Sequence, residues 1–167
     1  HIYDITGNEL DIGWLGLAEF LPAALLVLVT GTVADRFDRK KVVFLSQTGE
    51  VISALAFMFY ARTNPTSTTF MFAIAFFFGV ARAFASPSLR TIPPMIAPPN
   101  GLPRIIAFSS ATWTGAAIVG PAASGFVYAI APWVAYAVSA GLMVCGMAAF
   151  LTIKVPRAAH QQEANRE

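Results

Sequence analysis

Charged residues are scarce in this sequence of 167 residues, where Asp, Glu, Lys and Arg together make up only 12%. Soluble domains carry about 25% charged residues, so the composition excludes an ordinary soluble domain. Hydrophobic residues make up 56%, which predicts an integral membrane protein in contact with a lipid bilayer. The net charge of +2 is small, and the basic residues lie at the ends of apolar runs. Because they form no basic face, the sequence excludes nucleic acid as a partner.

Residues that bind metals or act as nucleophiles are also few. The single cysteine, Cys145, cannot form an internal disulfide, and the two histidines, His1 and His160, lie at opposite ends of the chain. No spacing typical of metal ligands is present, and no Ser/His/Asp set converges. We therefore expect no metal site, no cofactor and no enzymatic activity. The chain begins with His1 instead of Met, within what looks like the tail of an earlier element.

Five long apolar runs are present instead. Each is close to the roughly 20 residues that a helix needs to cross the hydrocarbon core, so the sequence predicts an all-α, polytopic membrane helix bundle over residues 12–155. The predicted spans are 12–30, 42–61, 70–88, 105–130 and 134–153. We expect residues 1–11 to form an outer loop and the end of a preceding helix. Residues 93–101 are expected to form a stiff, helix-poor cytoplasmic linker, and residues 156–167 a disordered cytoplasmic tail.

The segment from Gly31 to Lys41 is the densest charged stretch, with two acids and four bases in its last seven residues. Cytoplasmic loops near span ends collect Lys and Arg, so this turn predicts a cytoplasmic hairpin between the first two spans, with Asp38 as N-cap of the second. Arg62 then lies outside and Arg82 within a span. The remaining basic residues all lie on the cytoplasmic side of the cell membrane, and they are Arg36, Arg39, Lys40, Lys41, Arg90, Arg104, Lys154, Arg157 and Arg166.

Three ionisable residues lie within the apolar runs, namely Glu19, Glu50 and Arg82. A charge at mid-bilayer costs about 2.5–3.5 kcal/mol on insertion scales, so such residues face protein or water and usually have partners. Glu50 and Arg82 lie at similar distances from the cytoplasmic ends of adjacent spans. We therefore predict a Glu50–Arg82 ion pair, which serves either transport or only helix packing. Glu19 lies nearer the outer side with no evident base at its level, and it is either a protonatable acid facing a substrate or an acid wetted from the near side.

Small residues recur at every fourth position of the fourth predicted span, flanked by Gly115 and Gly125. This pattern lets two membrane helices approach closely, and Pro121 predicts a bend beside the close contact. Together they indicate a helix that must bend or rock. The row consists of Thr112, Ala116, Gly120 and Ser124. A second row in the fifth span predicts tight packing alone, and it consists of Ala137, Gly141, Cys145 and Ala149.

The charged turn resembles the signature G-x-x-x-D-R-x-G-R-K that joins the second and third helices in the major facilitator superfamily of secondary transporters. The matching residues are Gly31, Asp35, Arg36, Arg39 and Lys40. The sequence departs from the signature at Asp38, where the family more often has Gly for a left-handed turn. Because Asp visits that conformation better than most residues, we expect the turn to be retained.

Three other stretches are similar to the same superfamily. Residues 79–82, Gly-Val-Ala-Arg, resemble the G-x-x-x-R region of its fourth helix, with shorter spacing. Residues 116–125 resemble the G-x-x-x-G-P-x-x-G-G element of its fifth helix, which is associated with drug–proton antiport; Ala116 and Ser124 replace two of its glycines, and Gly120, Pro121 and Gly125 match. Residues 3–7, 20–22 and 100–103 are similar to the branch containing enterobactin-type exporters.

The resemblance implies a transporter of two six-helix bundles around a midplane cavity. This chain would be most of the N-terminal half, without the first helix and the C-terminal half. In the family, the acid and the two arginines of the signature help hold the halves together when the cavity faces outward, which implies that role for Asp35, Arg36 and Arg39.

The implied function is alternating-access transport, with proton-coupled export of small molecules such as drugs or siderophores across a bacterial inner membrane. A complete five-span scaffold or assembly subunit without transport activity is the alternative. A membrane-embedded enzyme would need nucleophile or metal-ligand clusters, which the sequence lacks.

Overall fold

The structure is a computed structural model that describes residues 1–63, 67–98 and 100–153. Within these ranges the description omits a few side chains, those of Ala34, Asp35, Ser88, Arg39, Arg90, Thr91 and residues 93–96. The tail predicted for residues 156–167 lies outside the described residues. The described residues form six α-helices and no strand: α1 (Ile2–Thr6), α2 (Glu9–Arg36), α3 (Arg39–Arg62), α4 (Thr69–Ile96), α5 (Leu102–Ile130) and α6 (Pro132–Thr152).

Helices α2 to α6 are each long and apolar enough to cross a membrane. Their apolar stretches are Glu9–Val33, Lys40–Arg62, Thr69–Pro87, Leu102–Ile130 and Pro132–Thr152. This result confirms the prediction of an all-α membrane helix bundle with five spans. Many large apolar side chains on these helices point away from the bundle, such as Leu28 and Phe126, which are 81% and 80% exposed. In a membrane protein such side chains face lipid, which is as apolar as they are.

Helix α2 begins at a well-capped position. Gly7 ends the short helix α1 in the left-handed conformation (φ 64°, ψ 10°), and its backbone N–H donates to the carbonyl of Tyr3 at 2.8 Å. The side-chain oxygen of Asn8 then accepts from the backbone N–H of Leu10 at 3.1 Å. Glu9 and Asp11 lie in the first turn of α2, where the helix dipole favours negative charge. These contacts define where the first long helix starts.

The turn between α2 and α3 is only two residues long, Phe37 and Asp38. The carboxylate of Asp38 accepts from the backbone N–H of Lys40 at 2.9 Å, which confirms the predicted N-cap. The expectation of a left-handed conformation at this position was wrong, because Asp38 has φ −59° and ψ 111°. An N-cap residue needs a non-helical, roughly extended backbone so that its side chain can reach the first free amides. Capping therefore determines the conformation of Asp38.

Helix α4 continues beyond the end of the third predicted span at residue 88. It ends at Ile96, so the prediction of a helix-poor linker starting at residue 93 was wrong at its beginning. Each proline removes the hydrogen bond from its own nitrogen to the carbonyl four residues earlier, and its ring also crowds that carbonyl. Pro93 and Pro94 lie in the last turn of α4, so the helix lacks two backbone hydrogen bonds there and still continues to Ile96. The remaining connection turns at Asn100 (φ 63°) before α5 begins.

The helices pack in a spatial order that differs from their order in the chain. Helix α2 packs mainly on α4, α4 also packs on α3, and α3 packs on α6. Helix α5 touches α6 and, weakly, α4, and none of its residues is buried. A small apolar cluster of Val43, Ile92 and Phe150 joins α3, α4 and α6 at the end where α3 begins. The sequence predicted the helices but not this order.

Helix α6 meets α3 through larger side chains than the predicted small row. Its buried residues are Ala140 and Phe150, and Met147 contacts the Thr48 hydroxyl of α3 through its sulfur at 3.8 Å. Gly141 and Cys145 are exposed, so the tight packing predicted along their row is not found among the described residues. Met and Phe fill the irregular space between the two helices, and the small residues lie on another face of α6.

Gly79 of α4 lies against the backbone of Glu19 of α2. A Cβ atom placed on Gly79 would lie 2.0 Å from the backbone carbonyl oxygen of Glu19. No side chain fits at that distance, so glycine is needed for α2 and α4 to cross here. Pro22, one turn further along α2, is fully buried. The two helices therefore meet over a well-packed segment centred on this crossing.

We predict that Gly79→Ala destabilises the protein by about 1–3 kcal/mol, because the new methyl group must push two backbones apart. The measurement is the melting temperature of the purified protein in detergent. Gly13→Ala on α2 is the matched control, because nothing lies within 4 Å of a Cβ atom at Gly13. Alanine at an open helical position is stabilising by about 0.5–1 kcal/mol. Equal melting temperatures for the two variants would contradict the crossing.

Candidate functional site

The crossing of α2 and α4 brings two of the three intramembrane charges together. Nη1 of Arg82 lies 3.0 Å from Oε1 of Glu19 and donates a hydrogen bond to it. Arg82 follows Gly79 by three residues, which places both on the same face of α4. The Glu19 backbone that contacts Gly79 therefore holds its own carboxylate beside Arg82. The sequence placed Glu19, Glu50 and Arg82 inside the membrane but gave no basic partner for Glu19.

The predicted Glu50–Arg82 ion pair was wrong. Arg82 pairs with Glu19, and among the described side chains no ion pair joins Arg82 to Glu50. The predicted depths agree with the structure: a Cβ atom on Gly49 of α3 would lie 3.0 Å from the Cβ of Ala81 of α4, and Glu50 and Arg82 each follow this contact by one residue. The pairing differs because Arg82 lies on the same face of α4 as Gly79, the face that contacts α2.

The Glu19–Arg82 pair faces a cavity between α2 and α4. Their side chains are 42% and 54% exposed, so both are accessible from the cavity. The cavity has a volume of about 620 Å³, within the range of ligand sites in proteins. We call it the α2–α4 cavity. Its walls are mostly small or apolar, and they are formed by Gly16, Glu19, Phe20, Ala23, Val27, Thr30 and Gly31 of α2 and Gly79, Arg82, Ala83, Ser86 and Pro87 of α4.

Glu50 does not line this cavity. It lies on α3 with a partly buried side chain, and the cavity is formed by α2 and α4 alone. The structure therefore pairs Glu19 with Arg82, whereas Glu50 lies near enough to Arg82 to be affected by its charge but forms no ion pair with it among the described side chains. An involvement of Glu50 in the substrate or proton path stays a prediction.

The charged turn contains a contact that the sequence did not suggest. Nζ of Lys40 donates to the backbone carbonyls of Leu151 and Ile153, at 2.9 and 2.8 Å. These carbonyls belong to the C-terminal end of α6, where backbone acceptors have no partner within the helix and the dipole favours a cation. Lys40 thus caps α6 from the first turn of α3. The only signal for it was a lysine next to a helix start, where the dipole disfavours a cation.

The other residues of the signature occupy the end of α2 and the start of α3. Gly31 lies in α2 at the edge of the α2–α4 cavity, and Arg36 is the last residue of α2, with an exposed side chain. The side chains of Asp35 and Arg39 lie outside the described residues. The role implied for Asp35, Arg36 and Arg39, holding two halves of a transporter together, therefore stays a prediction.

The small-residue element of α5 has no neighbour in the described part of the chain. Nothing lies within 4 Å of a Cβ atom built on Gly115, Gly120 or Gly125. Helix α5 continues through Pro121, and the hydroxyl of Ser124 donates to the Pro121 carbonyl at 2.9 Å. The close helix approach predicted for Ala116, Gly120 and Ser124 is thus not found among the described residues, and the bending role of Pro121 stays a prediction.

We predict that Lys40→Met loosens the last turn of α6, because the carbonyls of Leu151 and Ile153 lose their charged donor. The measurement is amide hydrogen exchange of the peptide that contains the end of α6, which should exchange faster. The cost in stability is about 1 kcal/mol, the net value of a typical hydrogen bond. Lys41→Met is the matched control, since it removes the same charge one residue away. Equal exchange in both variants would show that Lys40 does not cap α6.

Comparison with known proteins places the chain in a family. The sequence matches the Major Facilitator Superfamily over residues 1–167. It is 24% identical to Macrolide efflux protein A of Streptococcus pyogenes over 162 residues, which cover 94% of this chain and 38% of that protein. It is 25% identical over 167 residues to the uncharacterized MFS-type transporter YfiS of Bacillus subtilis, covering 98% of this chain and 38% of YfiS.

A third relative, Macrolide efflux protein A of Enterococcus faecalis, is 24% identical over 148 residues, which cover 86% of this chain and 44% of that protein. The chain thus spans less than half the length of the curated relatives it matches. No solved structure matches it. A family match along the whole chain, on five apolar helices that carry the signature turn, shows that this multi-pass membrane chain belongs to the major facilitator superfamily.

Proposed function

We propose that the protein containing this chain is a secondary transporter that works by alternating access and exports small amphiphilic molecules in exchange for protons. The observation that carries the proposal is the Glu19–Arg82 ion pair, which faces the α2–α4 cavity. Membership in the superfamily supports transport, and the names of the relatives from Streptococcus pyogenes and Enterococcus faecalis support efflux. Drugs such as macrolides and siderophores are the substrate classes we propose.

The ion pair supplies a physical basis for proton coupling. An ionised Glu19 balances the charge of Arg82, and a proton bound to Glu19 removes that balance. An unbalanced charge at mid-membrane costs about 2.5–3.5 kcal/mol, so the protonated protein favours an arrangement in which Arg82 reaches water. Protonation can shift the transporter between its states only by such a difference. The proton, and not only the substrate, is therefore part of the proposed cycle.

Helix α2 connects this pair to the signature turn. Glu19 and Arg36 are on the same helix, 17 residues or about 26 Å apart. A movement of α2 against α4 at the Gly79 crossing would thus move the turn that is proposed to hold the two halves of the transporter together. We propose that the hairpin faces the cytoplasm of a bacterial cell. The other parts of the transporter, a further helix beside this bundle and a second bundle, would come from segments outside this chain.

We predict that Glu19→Gln abolishes pH-driven transport while the protein remains folded and still binds substrate. The measurement is macrolide flux in proteoliposomes of the full-length protein with an imposed pH gradient. The flux should fall roughly tenfold or more, and a tenfold change corresponds to about 1.4 kcal/mol. Substrate exchange without a gradient should persist, because glutamine keeps the size and hydrogen-bonding capacity of the side chain.

Glu9→Gln is the matched control, because Glu9 lies in the exposed first turn of α2, away from the cavity. Glu50→Gln tests the other acid that the sequence suggested. Unchanged pH-driven flux in both Glu19→Gln and Glu50→Gln would rule out proton coupling through these acids. Absence of any flux with the unmodified protein, with macrolides and siderophores alike, would favour the scaffold or assembly subunit instead.

A further inference from the structure

A second groove lies on the opposite face of α4 from the α2–α4 cavity. It is formed by the end of α2, the first half of α3 and α4, and its volume is about 690 Å³. The α2–α4 cavity uses Gly79, Arg82 and Ala83 of α4, whereas this groove uses Phe77, Val80, Ala81 and Phe84. The two share no lining residue. We call the second one the α3–α4 groove.

The groove is apolar along its length and charged at one end. Large apolar side chains that line it are strongly exposed, including Leu45 at 73%, Ile52 at 53% and Phe77 at 49%. The charged lining residues, Arg36, Asp38 and Lys41, all belong to the signature turn or the start of α3. An occupant that suits this surface has a long apolar part and a charged group at the end near the turn.

The length of the groove matches one leaflet of a bilayer. From Lys41 to Ile52 is 11 residues along α3, or about 16 Å. The hydrocarbon core of a bilayer is about 30 Å thick, so one leaflet contributes about 15 Å. A lipid acyl chain that begins at the level of the turn would therefore extend along the groove to its inner end.

The charges at the groove mouth favour an anion. The carboxylate of Asp38 is engaged in capping α3, and the ammonium of Lys40 is directed to α6. Arg36 and Lys41 remain at the mouth with exposed side chains, beside the N-terminal end of α3, where the helix dipole also favours negative charge. Two cations outweigh the single capping acid among the described side chains of the lining.

We propose that the α3–α4 groove binds one anionic phospholipid, with its phosphate at Arg36 and Lys41 and an acyl chain along Leu45, Ile52 and Phe77. Basic pockets between membrane helices on the cytoplasmic side are sites where anionic headgroups bind. A zwitterionic lipid would also place its positively charged group near Arg36 and Lys41, so it would bind the groove more weakly. The groove shares no lining residue with the α2–α4 cavity, and its only residue with a role in the proposed cycle is Arg36 of the signature turn. Lipid binding can therefore be tested without assuming that the protein exports macrolides or couples to protons.

The test compares phosphatidylglycerol with phosphatidylcholine on the full-length protein in detergent. Native mass spectrometry measures how much of each lipid is retained, and the melting temperature measures stabilisation. We predict that phosphatidylglycerol is retained more strongly and raises the melting temperature further. Lys41→Gln should weaken retention of phosphatidylglycerol about fivefold, the equivalent of about 1 kcal/mol for one lysine near an anionic surface. Lys41→Arg should retain the preference, because it keeps the charge.

Arg104→Gln is the control for charge, since Arg104 is an exposed base at the start of α5 that does not line the groove. Leu45→Trp tests the acyl part by filling the groove, and Leu25→Trp is its control on an exposed position of α2 outside the groove. If Lys41→Gln does not fold, Leu45→Trp against Leu25→Trp decides. Equal retention of the two lipids, as expected if another part of the protein fills the groove, would overturn the proposal. A preference unchanged in both Lys41→Gln and Leu45→Trp would also overturn it.

Discussion

The contact of Gly79 with the Glu19 backbone sets the distance between α2 and α4, and the ion pair beside it depends on that distance. Without a side chain at Gly79 the two backbones can touch, and Arg82, three residues further along α4, then reaches the Glu19 carboxylate at 3.0 Å. An unpaired charge inside a bilayer is costly, so the close approach at Gly79 allows Glu19 of α2 to balance the charge of Arg82.

Asp38 and Lys40 of the signature turn each cap a helix end, and this role is independent of the orientation of the protein in the membrane. Asp38 satisfies a free amide at the start of α3, and Lys40 satisfies two free carbonyls at the end of α6. The ends of α3 and α6 lie side by side here, and their dipoles have opposite signs at this level. A basic residue in the first turn of α3 is unfavourable for α3 alone. Its long side chain turns it into a favourable partner for α6.

The sequence predicted the helices well because apolar length and charge placement are local properties. Five runs near the length of a membrane span, with a basic turn between the first two, were sufficient for the all-α bundle, and Asp38 could be recognised as an N-cap from its position alone. Pro93 and Pro94 predicted the start of a helix-poor segment, but both lie in the last turn of α4, and the helix continues through them to Ile96.

The order of helices in space could not be read from the sequence. Adjacent spans in the chain were expected to pair, which led to Glu50 of α3 as the partner of Arg82. Helix α4 packs on both α2 and α3, and Arg82 lies on the face toward α2. The contact of Lys40 with α6 was not predicted for the same reason, because it joins residues more than a hundred positions apart and depends on the order of the helices in space. The small residues of α5 and α6 permit close packing, but their size does not specify which helix they pack against, and the described part of the chain provides no such neighbour.

Helix α4 lines the α2–α4 cavity on one side, which is polar at Arg82, and the α3–α4 groove on the other, which is apolar at Phe77 and Phe84. The helix therefore separates the cavity from the groove. A tilt or rotation of α4 that widens the α2–α4 cavity narrows the α3–α4 groove, and the reverse. A molecule bound in one of them can therefore alter binding in the other without direct contact.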